Sequence, residues 1–234
     1  MRRVFLFFLS IASFFLFSCN DAEIGSANDV EADAVFFDYR ISGEAGNPEV
    51  TALLQYRFGG ENGTTLTIDK PGSVSIDGET IKVDSTRITG AYYELQKPVE
   101  AFTGNHFIEF INQKGKKYKE EFTFQPFSFA EAIHDTIHNG ALSLPLLGVK
   151  DGDRIQVVIS DTVFGSNGIE HELAVKGGRI IINKEDLSKL ASGPVNMELV
   201  KENNRPILNG TPEGGKLVII YTLRKEFWLN KSLK

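Results

Sequence analysis

The sequence predicts an all-β fold made of two tandem antiparallel β-sandwiches. Three observations support this prediction. Apolar and polar residues often alternate from Val35 to Phe124, and alternation with a period of two is typical of strands with one buried face. Turn-forming pairs such as Pro71-Gly72 and Asp77-Gly78 recur at short intervals between the apolar runs. The same pattern returns after Gln125-Pro126, where proline interrupts strand pairing.

The first predicted sandwich occupies residues 35–125, which are enough for a core of their own. Alternation places Val50, Ala52, Leu54, Tyr56 and Phe58 on one strand face. In the strand 118–124, Glu120 is the one charged residue among the aromatics of its face. The further candidate strands are Val35–Ser42, Thr64–Asp69, Ile88–Leu95 and His106–Asn112.

The second predicted sandwich occupies residues 126–234 and contains one short helix at 184–192. Asn183 is the expected N-cap, and Gly193-Pro194 is the expected stop. A single short helix between two strands resembles the crossover of many immunoglobulin-like domains, which implies an immunoglobulin-like topology. The candidate strands are Ala141–Leu147, Arg154–Ser160, Glu170–Lys176, Arg179–Asn183, Val195–Glu202 and Lys216–Lys225.

The N-terminal segment has the order of a secretory signal. Arg2 and Arg3 precede the apolar run Val4–Phe17, whose 14 residues are fewer than the roughly 20 that span a bilayer. The sequence Leu16-Phe17-Ser18-Cys19 resembles the lipobox of bacterial lipoproteins. This resemblance implies removal of the signal peptide 1–18 and acylation of Cys19. The alternatives are an ordinary signal peptide cut nearby and an uncleaved membrane helix.

Residues 19–34 are predicted to form a lipidated, solvated acidic tether. Five acidic and no basic residues lie in this stretch, with small residues between them. Its start, Cys19-Asn20-Asp21-Ala22-Glu23, is similar to the export tag of some surface lipoproteins of Gram-negative bacteria. The resemblance implies anchoring in the bacterial outer membrane and favours the cell surface over the periplasmic face.

Composition excludes several classes of function. Cys19 is the single cysteine, so its acylation leaves no thiol for a disulfide, a nucleophile or a metal site. The formal charge of −6 becomes −8 when Arg2 and Arg3 are removed with the signal, and no long basic run is present. Nucleic acid is therefore not an expected partner. The expected partners are the membrane, through the anchor, and envelope proteins or glycans.

The sequence supports no catalytic, metal or cofactor site. Glu131, His134 and His138 would share one face of a helix, but this arrangement lacks the His-Glu-x-x-His order and a nearby third histidine. We therefore interpret both histidines as solvent-facing linker residues. No serine stands in a Gly-x-Ser-x-Gly motif, and the four histidines show no triad-like spacing.

Three aromatic residues are the candidate ligand-binding side chains. Tyr92 and Tyr93 are neighbours, as are Phe227 and Trp228, so one ring of each pair must face away from the core. Exposed rings at Tyr92, Tyr93 or Trp228 would suit stacking on sugars or anchoring of partners. The predicted function is a non-catalytic binding, adhesion or structural accessory role in the cell envelope. The alternatives are a surface glycan-binding accessory lipoprotein and an enzyme with an unrecognised site.

Overall fold

The computed structural model describes residues 22–138 and 140–231, so Cys19 and the predicted signal peptide lie outside the described residues. The described chain is built almost entirely of strands. They are β1 (Ile24–Ser26), β2 (Val35–Glu44), β3 (Glu49–Phe58), β4 (Thr64–Thr67), β5 (Ser73–Ile76), β6 (Glu79–Thr80), β7 (Val83–Thr86), β8 (Gly90–Pro98), β9 (Gly104–Ile111), β10 (Lys117–Phe124), β11 (Ser128–Phe129), β12 (Thr136–His138), β13 (Leu142–Leu147), β14 (Arg154–Asp161), β15 (Ile169–Ala174), β16 (Arg179–Ile182), β17 (Gly193–Pro206) and β18 (Gly215–Asn230).

One large sheet crosses the boundary predicted at 125/126. Its strand order is β1-β4-β3-β2-β18-β17-β14-β15, with β8 and β7 added beside β3 and β12 added beside β18. The join is a parallel pairing of β2 with the first half of β18. The division into two domains stays a prediction, whereas the pairing of the first half of the chain with the last strand was not predicted.

The last strand, β18, sets the length of this sheet. It contains 16 residues, which at about 3.3 Å per residue span roughly 50 Å. Its first eight residues pair with β2, and its last three pair with β12. The sheet therefore has one end at the start of β18 and an opposite end at Trp228.

A smaller sheet packs face to face on the first half of the large sheet. Its order is β10-β9-β5-β6. The contact between the two sheets is aromatic: the Phe37 ring lies 5.3 Å from that of Phe110 and 5.7 Å from that of Tyr118. Tyr56 and Phe110 add a 4.7 Å contact. Edge-to-face and tilted rings at such distances stabilise a core beyond their buried area.

A third sheet, β11-β13-β16, supplies the apolar layer of the second half. Its buried side chains belong to the same hydrophobic core as Ile155, Val157 and Leu199 of the large sheet; they are Leu144, Leu146, Ile180 and Ile182. Face-to-face packing of sheets across a buried core is the β-sandwich arrangement. The predicted all-β sandwich fold is therefore confirmed.

The predicted helix is present but shorter than expected. The α-helix α1 covers Lys184–Leu187, instead of 184–192. Asn183 occupies the N-cap position, but its side chain makes no capping hydrogen bond. Leu187 and Leu190 are buried, as their spacing predicts. Four residues form about one turn, and packing of these two leucines holds the segment because so short a helix is not stable alone.

The prediction of a solvated tether is wrong for the described part of residues 19–34. Strand β1 pairs in parallel with β4, and a 3₁₀-helix follows at Ala27–Asp29. Ala27 is buried, and the Asp33 carboxylate accepts a hydrogen bond from the Tyr118 hydroxyl at 3.2 Å. The acidic composition suggested a solvated segment, but strand pairing with β4 and the hydrogen bond from Tyr118 of β10 hold it against the sheets.

Glu120 interrupts the aromatic face of β10 because it forms a buried ion pair. Its side chain is 3% exposed and contacts the Arg205 guanidinium at the end of β17. Its other oxygen accepts hydrogen bonds from the backbone N–H groups of Leu208 (2.9 Å) and Asn209 (3.2 Å). The guanidinium also donates to the Glu121 carbonyl at 2.7 Å. This network ties the smaller sheet to the β17–β18 hairpin.

Candidate functional site

The outer face of the large sheet carries the candidate functional surface. In β18 the odd-numbered residues from Leu217 to Leu229 turn mostly inward, so the even-numbered ones face outward. Cross-strand partners share a face, and the register therefore adds the outer residues of β17, β14 and β15. Polar side chains dominate this surface; they are Arg154, Gln156, Ser160, Glu170, Glu172, Asn196, Glu198, Glu202, Asn204, Arg224 and Glu226.

Trp228 stands on this outer face near the end of β18. It pairs with Pro194 of β17 on one side and with Thr136 of β12 on the other. Its backbone N–H donates to the Asp135 carbonyl at 2.7 Å, and its side chain is 53% exposed. The neighbouring Phe227 is buried, as strand alternation requires. A rigid sheet therefore presents the indole ring to solvent.

A shallow depression lies on the face immediately before Trp228. Its volume is about 330 Å³, and its outward-facing lining includes Val158, Ser160, Asn196, Glu198, Arg224 and Glu226. Arg224 is held between two carboxylates, at 2.8 Å from Glu44 and 3.2 Å from Glu198. Amide, hydroxyl, carboxylate and guanidinium groups beside an exposed ring can bind a ligand that has many hydroxyls and one apolar face.

A larger depression of about 700 Å³ continues along the same face, away from Trp228. It is lined by side chains of β14, β15 and β17 and contains three carboxylates. Two of them have partners: Glu172 pairs with Arg154 at 2.5 Å, and Glu170 accepts from Gln156 at 2.9 Å. The depression is therefore mostly polar, and no Phe, Tyr or Trp lines it.

The β14–β15 loop extends the sheet at the Trp228 end. Asp161 of β14 pairs with Val195 of β17. The residue before Val195 is Pro194, which pairs with Trp228 of β18. The Asp161 carboxylate accepts hydrogen bonds from the N–H groups of Ala191 (2.8 Å) and Val163 (2.9 Å), and these bonds lower its pKa. The Ser166 hydroxyl adds a third bond at 3.0 Å.

The loop that Asp161 organises presents two apolar side chains. Phe164 is fully exposed, and Val163 is about half exposed. Together with Trp228 they form the aromatic end of the sheet, a name kept below for these three residues. Sequence reasoning missed Val163 and Phe164, although an apolar pair between Asp161 and Gly165 in a turn was a signal that could have identified them.

Tyr93 is not an exposed ligand-binding residue, which corrects the sequence-based assignment. It is buried against Tyr56, with ring centroids 5.6 Å apart, and its hydroxyl accepts a hydrogen bond from the Ile68 N–H at 2.6 Å. Burial raises its pKa to about 12. Strand alternation placed one ring of the Tyr92–Tyr93 pair inside, and the inner one is Tyr93.

Tyr92 faces outward but lies far from Trp228. It is half-buried, and its hydroxyl donates to Asp84 at 3.3 Å. Burial and the Asp84 charge raise its pKa. The strand register across β8, β3, β2 and β18 places Tyr92 at the same height in the sheet as Lys216. Lys216 lies twelve residues before Trp228 in β18, so the two aromatic rings are about 40 Å apart along the strand direction. The structure therefore does not bring the predicted aromatic residues into one site.

The histidines form no metal site in the described residues. His134 and His138 are both exposed, and His138 belongs to strand β12, so the helical spacing considered for Glu131, His134 and His138 is not formed. Within residues 22–138 and 140–231, no group of three or more His, Cys, Asp or Glu side chains is arranged to hold a metal ion.

The other two histidines each pair with a carboxylate. His106 contacts Asp77 at 2.6 Å and the Phe102 carbonyl at 2.9 Å, so both ring nitrogens have partners. His171 contacts Asp186 at 3.1 Å, and the pKa of Asp186 is lowered by Lys189 first and by His171 as well. His106 lies on β9 of the smaller sheet, and His171 on β15 of the large one. The described residues therefore contain no cleft that joins these two histidines.

Comparisons with known proteins identify no family. No protein-family model matches the sequence, and no curated protein sequence matches it. Among solved structures, the chain is similar to the I-band fragment I67-I69 from titin, with 12% identity and a TM-score of 0.29 over 81% of this chain. The chain spans 65% of that fragment, slightly less than two thirds.

Two further structures are similar at the same low level. The IG1+IG2 fragment of DIP-gamma has 12% identity and a TM-score of 0.24, covering 80% of this chain and 94% of the fragment. SGBP-B of the mixed-linkage glucan utilization locus of Bacteroides ovatus, in complex with a mixed-linkage heptasaccharide, has 10% identity and a TM-score of 0.22. It matches over 92% of this chain and 68% of its own. Similarities this distant assign no ligand or activity to this chain.

Proposed function

We propose that this protein is a lipid-anchored cell-envelope protein with a non-catalytic binding role. The observation that carries the binding role is the exposed Trp228 beside a polar depression, on a sheet that fixes its position. The lipobox-like sequence ending at Cys19 supports the anchor. In this proposal the membrane holds one end of the sheet, and the aromatic end is free to meet a ligand.

The ligand class that best suits the aromatic end is a glycan. A sugar ring offers an apolar face that stacks on an indole and hydroxyl groups that bond to amide, carboxylate and guanidinium groups. Asn196, Glu198 and Arg224 supply these groups in the depression before Trp228. The alternative within the binding class is a protein partner that covers Trp228 and Phe164, which exposed aromatic residues also favour.

Calorimetric titration against a panel of soluble polysaccharides tests the glycan proposal. We expect at least one glycan to bind, with binding lost in Trp228→Ala and retained in the matched variant Tyr92→Ala, which removes an aromatic ring about 40 Å away. Absence of binding at millimolar concentrations across the panel would contradict it. Release of shortened glycan products during the titration would instead support the enzyme alternative.

The anchor is tested separately. We expect mass spectrometry of the mature N-terminal peptide to find an acylated Cys19, and Cys19→Ala to release the protein from the membrane fraction. Protease treatment of intact cells then distinguishes the two faces of the outer membrane. Cleavage in whole cells supports surface display, and protection until the outer membrane is opened supports the periplasmic face.

A further inference from the structure

Four exposed apolar side chains lie along the end of the large sheet opposite Trp228. Ile88 is 87% exposed, Leu208 73%, Phe58 45% and Ile24 42%. They come from separate parts of the chain: strand β1, the end of β3, the β7–β8 turn and the β17–β18 loop. Single exposed apolar residues are common on protein surfaces, but a group of them at one end indicates a contact surface.

Thr65 shows that Ile24 and Ile88 belong to the same end. It pairs with Ile24 of β1 on one side and with Arg57, the neighbour of Phe58, on the other. Its hydroxyl also accepts a hydrogen bond from the Ala91 N–H at 2.9 Å, at the start of β8. Ile88 lies in the turn immediately before β8.

Val35 places Leu208 at this end as well. It pairs with Phe58 across β2 and β3. Its carbonyl accepts a hydrogen bond from the Thr211 hydroxyl at 2.6 Å, in the same loop as Leu208. The Glu120 carboxylate, which accepts from the Leu208 N–H, fixes the position of this loop. We call Ile24, Phe58, Ile88 and Leu208 the apolar end.

The described chain begins at the apolar end. The N–H of Ala22 donates to the carbonyl of Arg87 at 2.7 Å, directly beside Ile88. Cys19 lies three positions before Ala22, and three residue-to-residue steps span at most about 11 Å. A lipid attached to Cys19 therefore enters the bilayer close to the β7–β8 turn.

We propose that the apolar end rests on the lipid bilayer, with Ile88 and Leu208 in its interfacial layer. This inference depends on the acylated Cys19 of the proposed function. The lipid chains hold the protein at the membrane, and contact of the apolar end with the bilayer fixes its orientation. The long axis of β18 then points away from the membrane, and Trp228 stands roughly 50 Å from the apolar end.

Charged side chains of both signs surround the apolar end. Glu61 pairs with Lys216 at 2.5 Å, which lowers the pKa of Glu61, and Glu23 accepts a hydrogen bond from Thr64 at 3.1 Å. Glu31 and Glu213 are exposed and lie in the segments that flank the apolar end. Exposed Arg87 adjoins Ile88, and Lys116 lies 3.8 Å from the Asp33 carboxylate, so both signs of charge are present and phosphatidylcholine, which has no net charge, is the lipid surface used in the test.

Depth measurement with a single fluorescent label tests this orientation. Acylation of Cys19 leaves the mature chain without another thiol, so Ile88→Cys gives one labelling position. Phe164→Cys is the matched control, because it replaces an equally exposed apolar residue at the aromatic end. The full acylated protein is inserted into phosphatidylcholine vesicles that contain a lipid with a nitroxide quencher on its acyl chain.

We expect several-fold stronger quenching of the label at position 88 than at position 164. Equal quenching at the two positions, or stronger quenching at 164, would overturn the proposed orientation while leaving the anchor intact. If the protein fails to associate with vesicles and mass spectrometry finds Cys19 unmodified, both the anchor and the orientation are overturned.

Discussion

Removal of Arg205 should destabilise the protein strongly, because it would leave the Glu120 carboxylate buried without its counter-charge. Breaking a buried ion pair from one side costs about 3–5 kcal/mol. The guanidinium retains 25% exposure, so we expect the lower part of this range for Arg205→Leu. If the free energy of unfolding falls by about 3 kcal/mol per molar urea, a loss of about 3 kcal/mol in stability lowers the urea concentration at the unfolding midpoint by about 1 M.

A second substitution distinguishes loss of charge pairing from loss of packing. Glu120→Gln in the Arg205→Leu background removes the unpaired charge and keeps an oxygen that can accept from Leu208 and Asn209. We therefore expect the double variant to be more stable than Arg205→Leu alone. Urea unfolding followed by circular dichroism measures each free energy of unfolding.

The control is Arg154→Leu, which removes an exposed ion pair with Glu172. Exposed pairs contribute about 0–1 kcal/mol, so its midpoint should hardly move. The reasoning would be refuted if Arg205→Leu were no more destabilising than Arg154→Leu. It would also be refuted if Glu120→Gln made the Arg205→Leu protein less stable.

Three further predictions follow from individual contacts. Asp161→Ala removes three acceptor bonds that organise the β14–β15 loop, so hydrogen exchange at Val163 and Ala191 should accelerate, whereas Asp84→Ala should leave both unchanged. At neutral pH Tyr93→Phe should lower the free energy of unfolding by about 1–3 kcal/mol, because the Ile68 N–H loses its acceptor. The pKa of Tyr93 is raised from 10 to about 12, so its contribution to stability is complete below pH 10 and is lost as pH rises through 12. The stability difference between wild type and Tyr93→Phe, measured by urea unfolding, should therefore narrow between pH 10 and 12, and a constant difference would contradict the assignment.

Short-range signals predicted most of the individual strands. The predicted Val35–Ser42, Arg154–Ser160 and Arg179–Asn183 lie within two residues of β2, β14 and β16, because alternation and turn chemistry act locally. Strands Ser73–Ile76 and Val83–Thr86 were missed; all four residues of Val83–Thr86 are exposed, so no apolar alternation marks that strand. The acidic segment before β2 was misassigned because charge indicates solvation unless specific partners are known.

The arrangement of the strands could not be predicted in the same way. Pairing of β2 with β18 joins residues about 180 positions apart, and no local pattern encodes that contact. The same limit applies to the site. Alternation predicted that one ring of each aromatic pair is exposed, and the structure identified Trp228 and Tyr92 as the outer ones. Their separation, and the placement of Phe164 at the same end of the sheet as Trp228, depend on the long-range register.

The most direct test of the proposed binding site uses the intrinsic fluorescence of Trp228, the single tryptophan of the chain. Because no other indole contributes, a ligand that occupies the aromatic end must change this signal. We predict a saturable change on titration with a glycan that binds by calorimetry, and the same change in Tyr92→Ala. A glycan that binds while the Trp228 fluorescence stays constant would contradict the placement of the site.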